Sequence, residues 1–333
     1  MTGAPAQAYP KTVPCNAVAL QKAVVAADNA GGGTLNLTPR CTYRITAPAS
    51  TANAFAVVTT PIRINGNRAT IVRTVATSFR FFQVEESGNL TLTALTLREG
   101  RSDNGGAISV NRGRLTLIGS TVTANTAELG GGIYNLGTVR VVGGVISNNV
   151  AVQGGGLNNQ GVTATLDGTT VSGNHALTDF ADGFGGGILN AAPLTLTRTR
   201  IVKNQAIGEG AEGGGVWNFD ELTMNRGVVR DNVANGDGAL GGGMVNSGAA
   251  KVTDTRFLFN AATGVNARGG AIFNLVGTTT LRGVKVVANQ ATGTGADGGG
   301  IFREAGTVTP TRTIVARNRP NNCGDPSTVP GCR

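Results

Sequence analysis

Six acidic residues recur in one turn of a repeating chain: Asp179, Asp182, Glu209, Glu212, Asp237 and Asp297. Each stands shortly before a run of two or three glycines. With Asp103 and Glu128, this turn series holds eight of the 19 acids, on a chain of formal net charge +9. Two carboxylates about 5 Å apart suit a retaining glycosidase, and roughly 6.5–9.5 Å an inverting one. Asp182 beside Glu209 or Glu212 on neighbouring repeats would make such a pair, with Trp217 as a stacking platform for a sugar. A lyase would need a base and a neutraliser of the uronate. His175, the only histidine, and Arg268 are the candidates, and calcium in the acidic turns is the candidate neutraliser. The plainer reading makes the acids solvated turn residues. His175 fills the middle of an Asn-x-Ala triplet that elsewhere carries Thr126, Val150, Gln205 or Val233, which marks a surface position rather than a catalyst.

A second set of residues suits binding. After the glycines comes an aliphatic residue (Ile133, Leu157, Ile188, Val216, Met244, Ile272, Ile301), then a varied one. The uniform position reads as inward. Alternation in a strand then points the next residue outward: Tyr134, Asn158, Leu189, Trp217, Val245, Phe273 and Phe302. An exposed apolar and aromatic stripe of this kind marks a contact surface for sugar rings or a protein. The acidic turn lengthens from residue 177 onward, so a wall carrying Asp179, Asp237 and Arg268 should flank the stripe and form a groove. Arg198, Arg200, Arg226, Arg256, Arg282, Lys285 and Arg312 precede the Asn-x-Ala triplets and predict a cationic stripe on another face. That stripe fits an anionic polymer, or simply a solvated face that opposes aggregation.

These side chains need a periodic scaffold, and the sequence supplies one. Gly-Gly-(Gly/Ala)-apolar-x-Asn recurs at Gly130–Asn135, Gly154–Asn159, Gly185–Asn190, Gly213–Asn218, Gly241–Asn246 and Gly269–Asn274. Variants open the series at Gly105 and close it at Gly298. The triplet Asn-x-Ala begins at Asn125, Asn149, Asn174, Asn204, Asn232, Asn260 and Asn289, and Asn318 ends the ladder at a spacing of 24–30 residues. Short alternating runs such as Leu115-Thr116-Leu117 and Leu194-Thr195-Leu196 lie between the motifs and read as strands. Three short strands and three turns per repeat predict one rung of a single-stranded, right-handed parallel β-helix. Rungs stack at about 4.8 Å. The asparagines suit turns, bonding the turn backbone and their rung neighbours and tolerating left-handed geometry.

Earlier segments, Pro61–Gly66, Ala69–Arg73, Phe79–Val84 and Leu90–Leu97, fit the same coil. Residues 16–29 form the one amphipathic helix, with Asn16 as N-cap and Gly31-Gly32-Gly33 as its stop. Solenoids need capped ends. The chain therefore reads as one all-β domain: an N-terminal cap over 1–33, rungs over 34–318 and a C-terminal cap over 319–333. Roughly ten or eleven rungs would make a rod of about 50 Å.

Composition narrows the function. The chain is 40% hydrophobic, too apolar and too weakly charged for disorder. No run of about 18 apolar residues spans a membrane. No basic block or recognition motif points to nucleic acid. Cys15, Cys41, Cys323 and Cys332 sit at the two ends. Three pairings are possible. The local one, Cys15–Cys41 and Cys323–Cys332, would staple each end and implies an oxidising home. With one histidine and no zinc spacing, no metal site is expected from the cysteines. MTGAPAQAYP lacks the basic and apolar regions of a secretory signal and reads as a mature start behind an added Met1.

The helix followed by GGGTLNLTPRCTYRIT resembles the N-terminal cap of pectate-lyase-like right-handed parallel β-helix proteins. The GGAI and GGGI repeats resemble the GGA-(Ile/Leu/Val) motif of chlamydial polymorphic outer-membrane proteins. The partner motif of that family, Phe-x-x-Asn, matches best at Phe257–Asn260, while Val or Ile replaces the Phe elsewhere. The resemblance implies a secreted or cell-surface β-helix, adhesive in the second family and polysaccharide-degrading in parts of the first. No paired-Asp polygalacturonase motif or lyase calcium cluster is present, and the membrane barrel of the second family is not expected here. The expectation is a binding protein for a polysaccharide, cell-surface glycan or protein partner, without a bound cofactor. Glycoside hydrolysis or lysis is the alternative.

Overall fold

The structure, a computed structural model, describes residues 11–177, 183–324 and 328–332. They form a parallel β-solenoid of about 11 turns with one helix, Ala17–Asn29, near the N-terminus. Asn16 caps the helix, its side chain accepting the Ala19 N–H at 2.9 Å. Leu20, Ala23, Val24 and Ala27 form the buried face of the helix. Thr59 and Thr60 anchor its far end by bonding the Asp28 carboxylate. Burial pushes that carboxyl's pKa up, but the four hydrogen bonds outweigh it and leave it below the usual value.

The disulfides follow the local pairing, Cys15–Cys41 and Cys323–Cys332, with Cα separations of 5.7 and 6.1 Å. A strand at Lys11–Val13 already pairs with Gly33–Leu37. Sheet order therefore begins ahead of the helix.

Three parallel sheets wrap the coil, of 21, nine and six strands. The sequence predicts three strands per rung, whereas later rungs carry four. Pro61–Arg73 and Asn89–Arg98 run along the large sheet as single long strands. From the next rung on, a residue with positive φ splits that side in two, as Gly143 does between Thr138–Val142 and Val145–Ser147. The register does not slip: Ile133, Leu157, Ile188, Val216, Met244, Ile272 and Ile301 stack one on the next. All lie in the main core, as expected. Burying each such side chain contributes about 1.5–3 kcal/mol.

Two asparagine ladders run through the rod. In the first, each side-chain amide donates to the next rung's Oδ1, from Asn125 through Asn149, Asn174, Asn204, Asn232, Asn260 and Asn289 to Asn318, at 2.9 Å. The same Oδ1 also accepts the neighbouring asparagine's backbone N–H, as Asn232 does from Asn204. The other amide hydrogen reaches a strand carbonyl, as Asn232 reaches Ile201. These amides are buried and well satisfied, which a parallel coil needs at its corners. The left-handed residue expected at the asparagine falls one position earlier, at Ala124, Asn148, Gly173, Lys203, Asp231, Phe259, Ala288 and Arg317. The second ladder joins Asn135, Asn159, Asn190, Asn218, Asn246 and Asn274 at 2.7–3.1 Å.

The glycine run is needed for space. Gly213 has φ 66°, and a Cβ on Gly214 or Gly215 would collide with the carbonyl oxygen of Val233 or Gly243. The lengthened turns beyond residue 183 stack on one another, backed by a small core of Ala234, Ala239, Ala262 and Ala267.

Candidate functional site

The varied residues after the inward ladder do face away from the main core, but they do not form the exposed stripe that the sequence predicts. Leu189, Trp217, Val245 and Phe273 are at most 4% exposed, and Asn158 is fully buried. Trp217, Val245 and Phe273 form a second core outside the coil, packed with Phe184, Leu240, Leu275 and Phe302. Two side-chain columns cover the stripe. One precedes the glycines and stacks Phe184, Glu212, Leu240, Arg268 and Asp297. The other follows the ladder asparagine at Phe219, Ser247 and Leu275, and Arg303 in the same register at Glu304, and its backbone N–H groups bond the preceding rung.

The columns close over the floor by specific contacts. The Trp217 indole N–H donates to the Glu212 carboxylate. Phe219, 47% exposed, stacks on Trp217, and Phe184 meets its edge at 6.4 Å. Further along, Phe302 stacks on Phe273 at 5.5 Å. The Arg268 guanidinium sits 5.0 Å over the Phe302 ring and reaches Glu304 at 3.2 Å. Along Trp217, Val245 and Phe273 a packed second core thus stands where the sequence predicts an open groove.

It stays open at the C-terminal end. There Arg268, Phe302, Arg303, Glu304, Thr328 and Val329 line a cleft of about 270 Å³. Phe302 is half-buried. Arg303 is held by Thr328 Oγ1 and the Gly306 carbonyl. Among the sequence candidates, Arg268 and Phe302 meet here. Tyr134 does not join them: Asn158 and Leu189 separate it from Trp217 in register. It is half-buried, and burial raises its hydroxyl pKa.

The acidic wall is only partly visible. Asp179 and Asp182 lie outside the described residues. Glu209 is exposed at a turn tip, and hydrogen-bonded stacking of neighbouring turns sets Asp237 in the next rung. Asp237 Oδ1 accepts the Val265 N–H at 2.9 Å. Asp297 accepts from the Gly298 N–H and the Asn321 amide. Three of these acids thus hold neutral donors of the scaffold. Among the described residues, no three His, Cys, Asp or Glu side chains converge on a metal position. His175 is half-buried between Val150 and Gln205, and burial lowers its pKa.

The cationic residues do share one face, spread over adjacent columns rather than one line. Arg198, Arg226 and Arg312 occupy the left-handed turn, Arg200, Arg256 and Lys285 the strand after it, and Arg282 the strand before. Lys203, Arg230 and Arg317 extend the face. Arg256 and Lys285 stand directly in register on neighbouring strands.

Sequence reasoning missed Phe219, Glu304 and Phe259. Each could have been found by extending the repeat alignment one residue past the motif, since Phe219 and Glu304 follow the stripe strand and Phe259 precedes a ladder asparagine.

Compared with known proteins, the chain matches no protein family, no curated protein and no solved structure.

Proposed function

We propose that the protein is an extracytoplasmic binding rod that holds a glycan in the cleft at its C-terminal end. The observation that carries this reading is the meeting of Phe302, Arg268 and Glu304 around that cleft. An aromatic ring with a few charged and hydroxyl groups around it is the usual make-up of a small-ligand site. The Arg268–Glu304 pair is exposed at 40% and 47%. Such surface pairs contribute about 0–1 kcal/mol, so a sugar can displace Arg268 from the ring without a large penalty. The two disulfides support a location in an oxidising compartment.

Binding is favoured over hydrolysis or lysis because Glu212, Asp237 and Asp297 each accept hydrogen bonds from scaffold donors. A glycan array followed by titration calorimetry tests the reading. Phe302→Ala is expected to weaken a bound glycan at least tenfold while the fold stays intact. New reducing ends from a polysaccharide panel, or binding unchanged by Phe302→Ala, would overturn it.

A further inference from the structure

The outer face of the large sheet changes composition at Arg198. Four outward columns can be followed along it: two strand positions and the left-handed turn residue on either side. In three consecutive rungs, over 119–124, 143–148 and 168–173, those positions hold Gly, Ala, Val, Ser, Thr and Asn, and nothing charged. The next five rungs, over 198–203, 226–231, 254–259, 283–288 and 312–317, hold nine Lys or Arg and two Asp. Every remaining position there is Val, Leu, Ile, Phe, Ala or one Gly. In these four columns neutral hydroxyls and amides give way to cations and apolar side chains, while the neighbouring strand of the sheet keeps outward threonines such as Thr195, Thr223 and Thr280.

We infer that this face docks the rod onto an anionic lipid bilayer. Two ion pairs, Arg198–Asp167 and Arg230–Asp231, neutralise part of the patch. Among the described residues, no ion pair reaches Arg200, Arg226, Arg256, Lys285 or Arg312. Arg256 and Lys285 repel each other across one rung, an arrangement that is unfavourable for the isolated fold. A layer of anionic headgroups relieves it. The apolar residues decide what kind of anion fits. Phe259 and Ile314 are 51% and 52% exposed between the cations, and Arg230 lies 5.2 Å over the Phe259 ring. Basic side chains interleaved with exposed apolar ones suit the headgroup boundary, where cations meet phosphate and apolar side chains enter the acyl edge. Within these columns a sugar chain would meet apolar side chains in place of hydroxyl and amide partners. Five of the left-handed positions carry Arg or Lys where the uncharged rungs use mostly glycine. The charge is therefore set on the face against the local backbone preference.

Co-sedimentation with large vesicles tests the inference. The protein should pellet with vesicles of equal parts phosphatidylcholine and phosphatidylglycerol and stay in the supernatant with phosphatidylcholine alone. Raising the salt to about 1 M should release most of it, as screening shortens to roughly 3 Å. Arg256→Glu with Lys285→Glu should weaken vesicle binding at least tenfold, from about 1 kcal/mol lost per cation near the surface. Phe259→Asn, which keeps a residue that tolerates positive φ, should weaken it severalfold at every salt concentration. Circular dichroism melts confirm that both variants fold. Equal pelleting with neutral vesicles, or full binding by the double variant, would overturn the inference. So would capture by heparin or polygalacturonate with vesicles left unbound, which would assign the face to a soluble polyanion.

Discussion

The rungs over 119–173 and those from Arg198 onward run on the same backbone. The asparagine ladder crosses the boundary unbroken, Asn174 to Asn204, at 2.9 Å. Strand pairing crosses it in register, Thr170 to Arg200 and Leu189 to Trp217. The surfaces nevertheless differ on two sides at once. The large sheet turns cationic, and the stripe behind the glycines turns apolar and packs into a second core, where Asn158 and Tyr134 stood before. The longer acidic turns begin at the same place. Since buried amides and aliphatic ladders specify the coil, the outward positions are free to be rewritten rung by rung. Under the proposed reading, this joint change on several faces makes the C-terminal half the working half.

The sharpest way to break this division is at the second core. Trp217→Ala should cost about 3–5 kcal/mol, as for other buried aromatic truncations. Tyr134→Ala, at the equivalent but half-buried position in the plain half, should cost about 1 kcal/mol. Urea unfolding of the two variants checks the difference, and equal losses would mean that the outer core does not support the working half. The ladder should show no such asymmetry. Asn149→Leu and Asn232→Leu each strand several buried partners and should each cost about 3 kcal/mol by the same measurement.

Smaller effects separate backbone ease from surface role. Arg226→Gly should stabilise the fold by about 1 kcal/mol, because a left-handed residue other than glycine is strained at Arg226, where φ is 54°. Gly143→Arg, at the matching turn with φ 60°, should destabilise by a similar amount. The smallest effect lies at the seam. Burial lowers the His175 pKa in the fold, so the unfolded chain binds more protons between that lowered value and the ordinary one near 6.5. The histidine's stability contribution is therefore full above about pH 6.5 and falls as the pH drops through that window. His175→Gln should flatten stability against pH in that window and leave the slope that Asp28 sets below about pH 4.

Much of the coil is legible in the sequence because its determinants are local and repeated. Gly213 to Asn218 encodes a positive φ, two positions without room for a side chain, an inward aliphatic and a ladder amide in six residues. The site is less legible. Alternation correctly turns Trp217 away from the core, but its burial depends on Glu212, five residues before, and Phe184, one rung away. Those reaches belong to side chains, not to the strand period. The fourth strand per rung was hidden for a related reason: Arg198 and Arg226 occupy a left-handed turn that earlier rungs mark with Gly143 and Gly168. Asp182, the expected carboxylate partner of Glu209 or Glu212, lies outside the described residues.

Each ladder asparagine in the middle of the rod gives two hydrogen bonds forward, from its amide and its backbone N–H, and accepts the same two from behind, all in the same sense. The module from Asn232 to Phe259 could therefore be excised whole, and Asn204 would meet Asn260 with the partner it had lost. Inserting a copy is equally neutral. Length in this rod is thus a modular property, open to change by duplication or loss of about 28 codons at a time. Such events would lengthen or shorten the docking face without opening a gap in the interior.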